Sequence, residues 1–224
     1  MTEDKAPAVL FDIDGTLVDS NYAHIAAWSR ALADVGAPVD SWRIHRAIGM
    51  DSQKLLGTLL GDRAEELGER ASALHGEHYA AAAGALRAFA GARELVAAVA
   101  DHGLQAVLAS SAPEDELAML RAVLDIEGEV TTVTSAGDVG EAKPAPDIVE
   151  VALRRAGVRP ERALMIGDSV WDIEAAARAG VRCIALLSGG TGAGELTDAG
   201  AVAIYDDAAD LLGRFESSPL VSLE

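Results

Sequence analysis

The sequence predicts an α/β fold, a doubly wound parallel sheet with an inserted all-helical cap domain, and three features carry that expectation. Short apolar runs recur along the chain with helix-like segments between them. Each run is too short for a helix and too continuous for a half-exposed strand, which suits strands covered on both faces. One long stretch, residues 18–90, breaks the alternation and contains no convincing strand.

The first apolar run, residues 8–13, leads into Asp12-Ile13-Asp14-Gly15-Thr16. The stretch 18–90 follows, rich in Ala and Leu at helical spacing and carrying most of the Trp and Tyr residues. Gly36-Ala37-Pro38, Gly49 and Gly61-Asp62 mark its loops, and residues 79–92 read as helix. A helix over 93–102, closed by Gly103, precedes the second run at 104–109. Helix 113–124 leads to the third run at 130–134. Helix 146–156 carries Pro146 in its first turn and ends at Gly157, ahead of the fourth run at 163–167. Helix 169–179, capped by Gly180, leads to the fifth run at 183–187. The glycine-rich segment 188–194 reads as a flexible loop, because it lacks a Walker lysine and the dinucleotide spacing. A last run at 201–205 and a helix at 208–215 complete the pattern. The division is therefore a core of residues 1–17 and 91–216, a cap of 18–90, and a loose tail of 217–224.

The 224 residues, half of them hydrophobic, suffice for one sizeable core and a smaller companion. A formal net charge of −18 opposes binding to nucleic acid, which would repel the chain. A small phosphorylated metabolite is compatible with that charge, since one metal ion and one lysine can reverse the sign of a pocket locally. Cys183 is the only cysteine; it rules out an internal disulfide and reads as a buried packing residue. No stretch reaches the roughly 18 apolar residues that span a bilayer, and no signal peptide opens the chain. A cytoplasmic location without membrane attachment is the expectation, as a monomer or homodimer. His24 and Trp28 share a helical face, most simply for packing, although His24 also lies only a few residues beyond the first acidic loop. His75 and His78 read as part of a solvated helix.

Alternation along the first strand puts Asp12 and Asp14 on one side of its C-terminal mouth, where open α/β sheets collect ligands. A plain polar turn at Asp14-Gly15 is the competing explanation. With Val9-Leu10-Phe11 before it and Leu17-Val18-Asp19-Ser20 after it, the segment resembles the nucleophile motif of the haloacid dehalogenase-like superfamily. Ala109-Ser110-Ser111 resembles that superfamily's second motif, Lys143-Pro144-Ala145-Pro146-Asp147 its third, and Ile166-Gly167-Asp168-Ser169 with Asp172 its fourth. All four occur in order, each at or just beyond an expected strand end.

The resemblance implies a Rossmann-like core and a Mg2+-dependent phosphatase of small phosphate monoesters. Asp12 is then the nucleophile that forms an aspartyl-phosphate, and Asp14 the acid–base residue. Ser110 and Ser111 hold phosphate, and Lys143 counters charge on Asp12 and the phosphoryl group. Asp12, Asp168 and the backbone carbonyl of Asp14 hold Mg2+, with Asp172 orienting that set. A helical insertion between the first and second motifs resembles the type-one cap of the subgroup containing phosphoglycolate phosphatase, sugar phosphatases and β-phosphoglucomutase. Two alternatives stay open. One is a phosphomutase, for which His24 resembles a cap-helix histidine; Ser52 stands where that enzyme carries an arginine, leaving Lys54 as the substitute cation. The other is a noncatalytic phosphate- or protein-binding relative, against which the four intact motifs argue.

Overall fold

A computed structural model of the chain describes residues 5–138 and 143–223; residues 1–4 of the expected core and 224 of the expected tail lie outside the described residues. The chain enters at β1 (Ala8–Phe11), then forms helices α1 (Asn21–Asp34), α2 (Ser41–Ala47), α3 (Ser52–Leu60) and α4 (Ala64–Ala82). There follow α5 (Ala92–Asp101), β2 (Gln105–Ala109), α6 (Glu114–Leu124) and β3 (Val130–Thr134). The remainder is α7 (Asp147–Ala156), β4 (Ala163–Gly167), α8 (Val170–Arg178), β5 (Arg182–Leu186), α9 (Ala193–Ala199), β6 (Ala203–Tyr205) and α10 (Ala208–Gly213).

The strands form one parallel sheet in the order β3-β2-β1-β4-β5-β6. From β1 the chain runs outward through β2 to β3, then returns to β4 on the other side of β1. That reversal opens a crevice beyond the C-terminal ends of β1 and β4, the usual place for a ligand in such sheets. Ala8, Leu10, Val107, Met165 and Cys183 pack against Ile148 and Ala152 of α7 and Ile173 of α8. The alternate residues Val9, Phe11, Leu108, Ile166 and Ile184 point to the opposite face and are buried as completely. Each such aliphatic side chain contributes roughly 1.5–3 kcal/mol on burial. Edge strand β3 departs from the expected double cover, because it has a neighbour on one side only and is largely half-buried.

The chain divides into two compact units, the second being Ser20–Leu86 and the first holding the sheet. The expected boundaries at 18 and 90 move inward for a physical reason. Val18 bridges Ala88, the Asp19 N–H donates to Arg87 O at 2.9 Å, and the Phe89 N–H donates to Leu17 O at 2.9 Å. These hydrogen bonds keep both ends of the insertion with the sheet unit. The helix expected over 79–92 stops at Ala82 and gives way to a short 3-10 turn at Ala83–Ala85, ahead of the residues that pair with the sheet unit.

Within the helical unit, Ile25, Trp28 and Leu32 lie along one face of α1 and meet Ile44 of α2, Leu55 and Leu59 of α3, and Ala71 of α4. Asp51 caps α3 by accepting from the Lys54 N–H at 2.9 Å. The expected loose tail is instead seated on the sheet unit: Pro219–Ser222 forms a 3-10 turn, and Leu220 and Leu223 are buried. Too few residues repeat there to show a pattern in sequence. Among the described residues no helix is long and apolar enough to cross a membrane.

Candidate active site

Asp12 is the first residue beyond β1, and its N–H donates to Ile166 O of β4 at 2.9 Å. The chain then turns sharply: the Leu17 and Val18 N–H groups both donate to Ile13 O, and Gly15 supplies the positive φ of 76° that the turn needs. Asp12 ends up buried and Asp14 half-buried. Asp168 occupies the equivalent place after β4, buried, accepting at Oδ1 from Thr16 Oγ1 at 3.1 Å. Asp172 lies one turn into α8 as the third residue of a capping box, its Oδ2 accepting from Ser169 Oγ at 2.6 Å and from the Ser169 N–H at 3.1 Å. Gly167 lets the strand pass behind it, since a Cβ there would stand 2.5 Å from Asp172 Cβ.

Lys143 joins these groups from the segment before α7. Its ammonium donates to Asp12 Oδ1 at 2.5 Å and pairs with Asp172 Oδ1 at 2.7 Å, with the side chain 2% exposed. Burial alone would push this lysine down, but the charges of Asp12 and Asp172 outweigh it and hold Lys143 above its ordinary value. For Asp12 burial is the largest influence and pushes the carboxyl up to about 7, against the pull of Lys143 and with repulsion from Asp172 and Asp14 added.

Carboxylate oxygens of Asp12, Asp168 and Asp172 lie within 4.8 Å of one another. Three buried carboxylates facing one ammonium leave excess negative charge, and an all-oxygen donor set suits a hard divalent cation. The residues therefore fit a metal site of the kind the sequence motifs imply.

Ser110 follows β2, next to β1 in the sheet, and is buried with its Oγ accepting from the Ala112 N–H at 3.1 Å. The Ser111 hydroxyl is buried with no hydrogen-bond partner among the described residues. His24 and Lys54 belong to the helical unit, and each has partners there. The His24 ring stacks on Tyr79 at a centroid distance of 3.9 Å and shares a 3.1 Å hydrogen bond between its Nδ1 and His75 Nε2. His75 in turn stacks on Trp28 at 4.1 Å and is buried, which corrects its expected place on a solvated helix face. Lys54 lies 3.7 Å from Asp51 at the start of α3.

Sequence reasoning missed three neighbours of the cluster. Thr16 was visible in its motif without an assigned part, and its partner stands 152 residues away. Ser188 and Gly189 fall in the segment expected to be a flexible loop, which instead forms a short 3-10 turn, Leu187–Gly189, with α9 soon after. Ser188 Oγ donates to Gly15 O at 2.7 Å, and Gly189 is buried against Asp168.

Comparison with known proteins agrees with this layout. Phosphoglycolate phosphatase 1 of Pseudomonas aeruginosa is 31% identical over 91% of this chain and 78% of its own length. The phosphorylated carbohydrates phosphatase of Thermotoga maritima is 29% identical over 88% of this chain and 93% of its own. A crystal structure of a hydrolase from Pseudomonas syringae superposes with a TM-score of 0.89 at 35% identity, covering 94% of this chain and 98% of that one. The family profile described as haloacid dehalogenase-like hydrolase matches residues 6–180. With sheet order, acidic crevice and sequence match in agreement, the chain belongs to the haloacid dehalogenase-like hydrolases.

Proposed function

We propose that this chain is a magnesium-dependent phosphatase that hydrolyses small phosphate monoesters, of the phosphoglycolate or sugar-phosphate kind, through an aspartyl-phosphate on Asp12. The observation that carries the reading is the buried pairing of Lys143 Nζ with both Asp12 and Asp172, beside Asp168. A phosphate monoester is a dianion that repels an anionic nucleophile, so attack needs concentrated positive charge and fixed alignment. Lys143 supplies one such charge beside the attacking carboxylate. Mg2+, held by Asp12, Asp168 and the backbone carbonyl of Asp14, would supply a second and help neutralise the phosphoryl oxygens.

In this reading Asp12 forms the new bond to phosphorus while Asp14 gives a proton to the departing alcohol oxygen. Asp14 then takes a proton from the water that cleaves the acyl phosphate, which regenerates both carboxyl groups. Ser110 keeps its own proton to donate, because its Oγ is the acceptor from Ala112. It and Ser111 hold the phosphate oxygens that do not leave. Asp172, fixed by Ser169, keeps Lys143 in line. The substrate class is supported by the names of the relatives from Pseudomonas aeruginosa and Thermotoga maritima. The proposed partner is a small metabolite and the proposed setting the cytoplasm; the net charge of −18 argues against nucleic acid.

The test is release of inorganic phosphate from p-nitrophenyl phosphate. Excess chelator is expected to abolish it and added Mg2+ to restore it; an unchanged rate in chelator would refute the metal assignment. Ranking phosphoglycolate against sugar phosphates by kcat/KM then fixes the substrate. With β-glucose 1-phosphate and a trace of glucose 1,6-bisphosphate, inorganic phosphate should outrun glucose 6-phosphate, the reverse result favouring a mutase.

A further inference from the structure

We infer that the glycine-rich turn after β5 is a further support of the carboxylate cluster, with Gly189 and Ser188 as positioning residues for Asp168 and for the loop that follows Asp12. The inference rests on the metal-site reading above and deepens it. In the sheet, β5 lies beside β4 with Ala185 opposite Gly167, so the chain leaving β5 passes close to the residue that leaves β4. That residue is Asp168.

Two adjacent glycines in the turn have different reasons to be glycine. Gly190 has φ 92°, a left-handed conformation that favours glycine whatever surrounds it. Gly189 is not among the positive-φ glycines, so its backbone would accept an alanine. Space forbids one: a Cβ at Gly189 would overlap Asp168 Oδ2 and stand 2.6 Å from Asp168 Cβ. The backbone of Gly189 therefore lies directly against the carboxylate. Asp168 Oδ1 is meanwhile held by Thr16 Oγ1 at 3.1 Å. The carboxylate thus meets two elements, the loop after β1 at Oδ1 and the turn after β5 at Oδ2. Ser188 joins those two elements, its hydroxyl donating to Gly15 O at 2.7 Å. Changing a group that orients a metal ligand typically costs about ten- to a hundredfold in metal affinity.

The experiment is calorimetric titration of Mg2+ into substrate-free protein, together with the melting temperature of the metal-free form. Gly189→Ala is expected to weaken Mg2+ binding about ten- to a hundredfold, and to lower the metal-free melting temperature by several degrees as its Cβ displaces Asp168. Ser188→Ala adds no atom, and it is expected to weaken binding about two- to tenfold; Ser188→Thr, which keeps the hydroxyl, should restore it. If Gly189→Ala does not fold, the Ser188 pair decides alone. Absence of Mg2+ binding by wild type would overturn the metal reading and this inference with it. Binding by wild type, with equal affinity in Gly189→Ala and Ser188→Ala, would overturn this inference alone.

Discussion

In the proposed mechanism Asp12 has to be buried enough to escape water and yet be ionised when it attacks. Burial raises its carboxyl to about 7 from an ordinary 3.8, with Lys143 opposing the rise. Because the folded value lies above the unfolded one, the stability linked to this group falls as pH rises between those values. A cation binding at Asp12 must displace a proton below about pH 7 and need not above it. Mg2+ affinity should therefore rise with pH and level off, being about tenfold tighter at pH 8 than at pH 6. Calorimetry at the two values checks this, and tighter binding at pH 6 would contradict it. The acidic residues of the site were legible in sequence because each sits in a short motif at the end of an apolar run. Gly189 was not, since only its contact with Asp168 distinguishes it from Gly190.

Between elements, the stack Trp28, His75, His24, Tyr79 joins α1 to α4 through ring faces and one shared hydrogen bond. His75→Ala removes a buried ring and leaves His24 Nδ1 without that partner. The expected loss is about 2–4 kcal/mol of stability, with faster amide exchange concentrated in residues 20–86. Wild-type exchange across α1 and α4 would contradict this account of how the helical unit is held. The central strands were legible because burial on both faces makes them continuously apolar, and the cap loops because Gly36, Gly49 and Gly61 all adopt positive φ. The edges of the insertion were not legible. They are set by the pairing of Val18 with Ala88, two residues far apart in sequence that no local pattern connects. The same holds for His75, whose burial depends on rings supplied by α1.

Over the whole molecule, one topological feature assembles the chemistry. The strand order reverses at β1, so the chain leaves β1 and β4 side by side and delivers Asp12 and Asp168 to neighbouring places beyond the strand ends. Lys143 then arrives from the segment before α7 and Asp172 from the first turn of α8, and the turn after β5 closes against Asp168. The fold class could be read from the rhythm of apolar runs alone, whereas the chemistry needed the motifs as well, since one sheet order serves many reactions. The claim at the centre is that phosphate passes through Asp12. It is tested most directly by quenching the turning-over protein with sodium borohydride, which reduces an acyl phosphate to an alcohol, and sequencing its peptides by mass spectrometry. The account predicts homoserine in place of Asp12 only when a phosphate ester is present. It predicts none in Asp12→Asn, whose turnover should fall at least about a hundredfold. An unmodified Asp12 in wild type, together with near-normal phosphate release from Asp12→Asn, would contradict it.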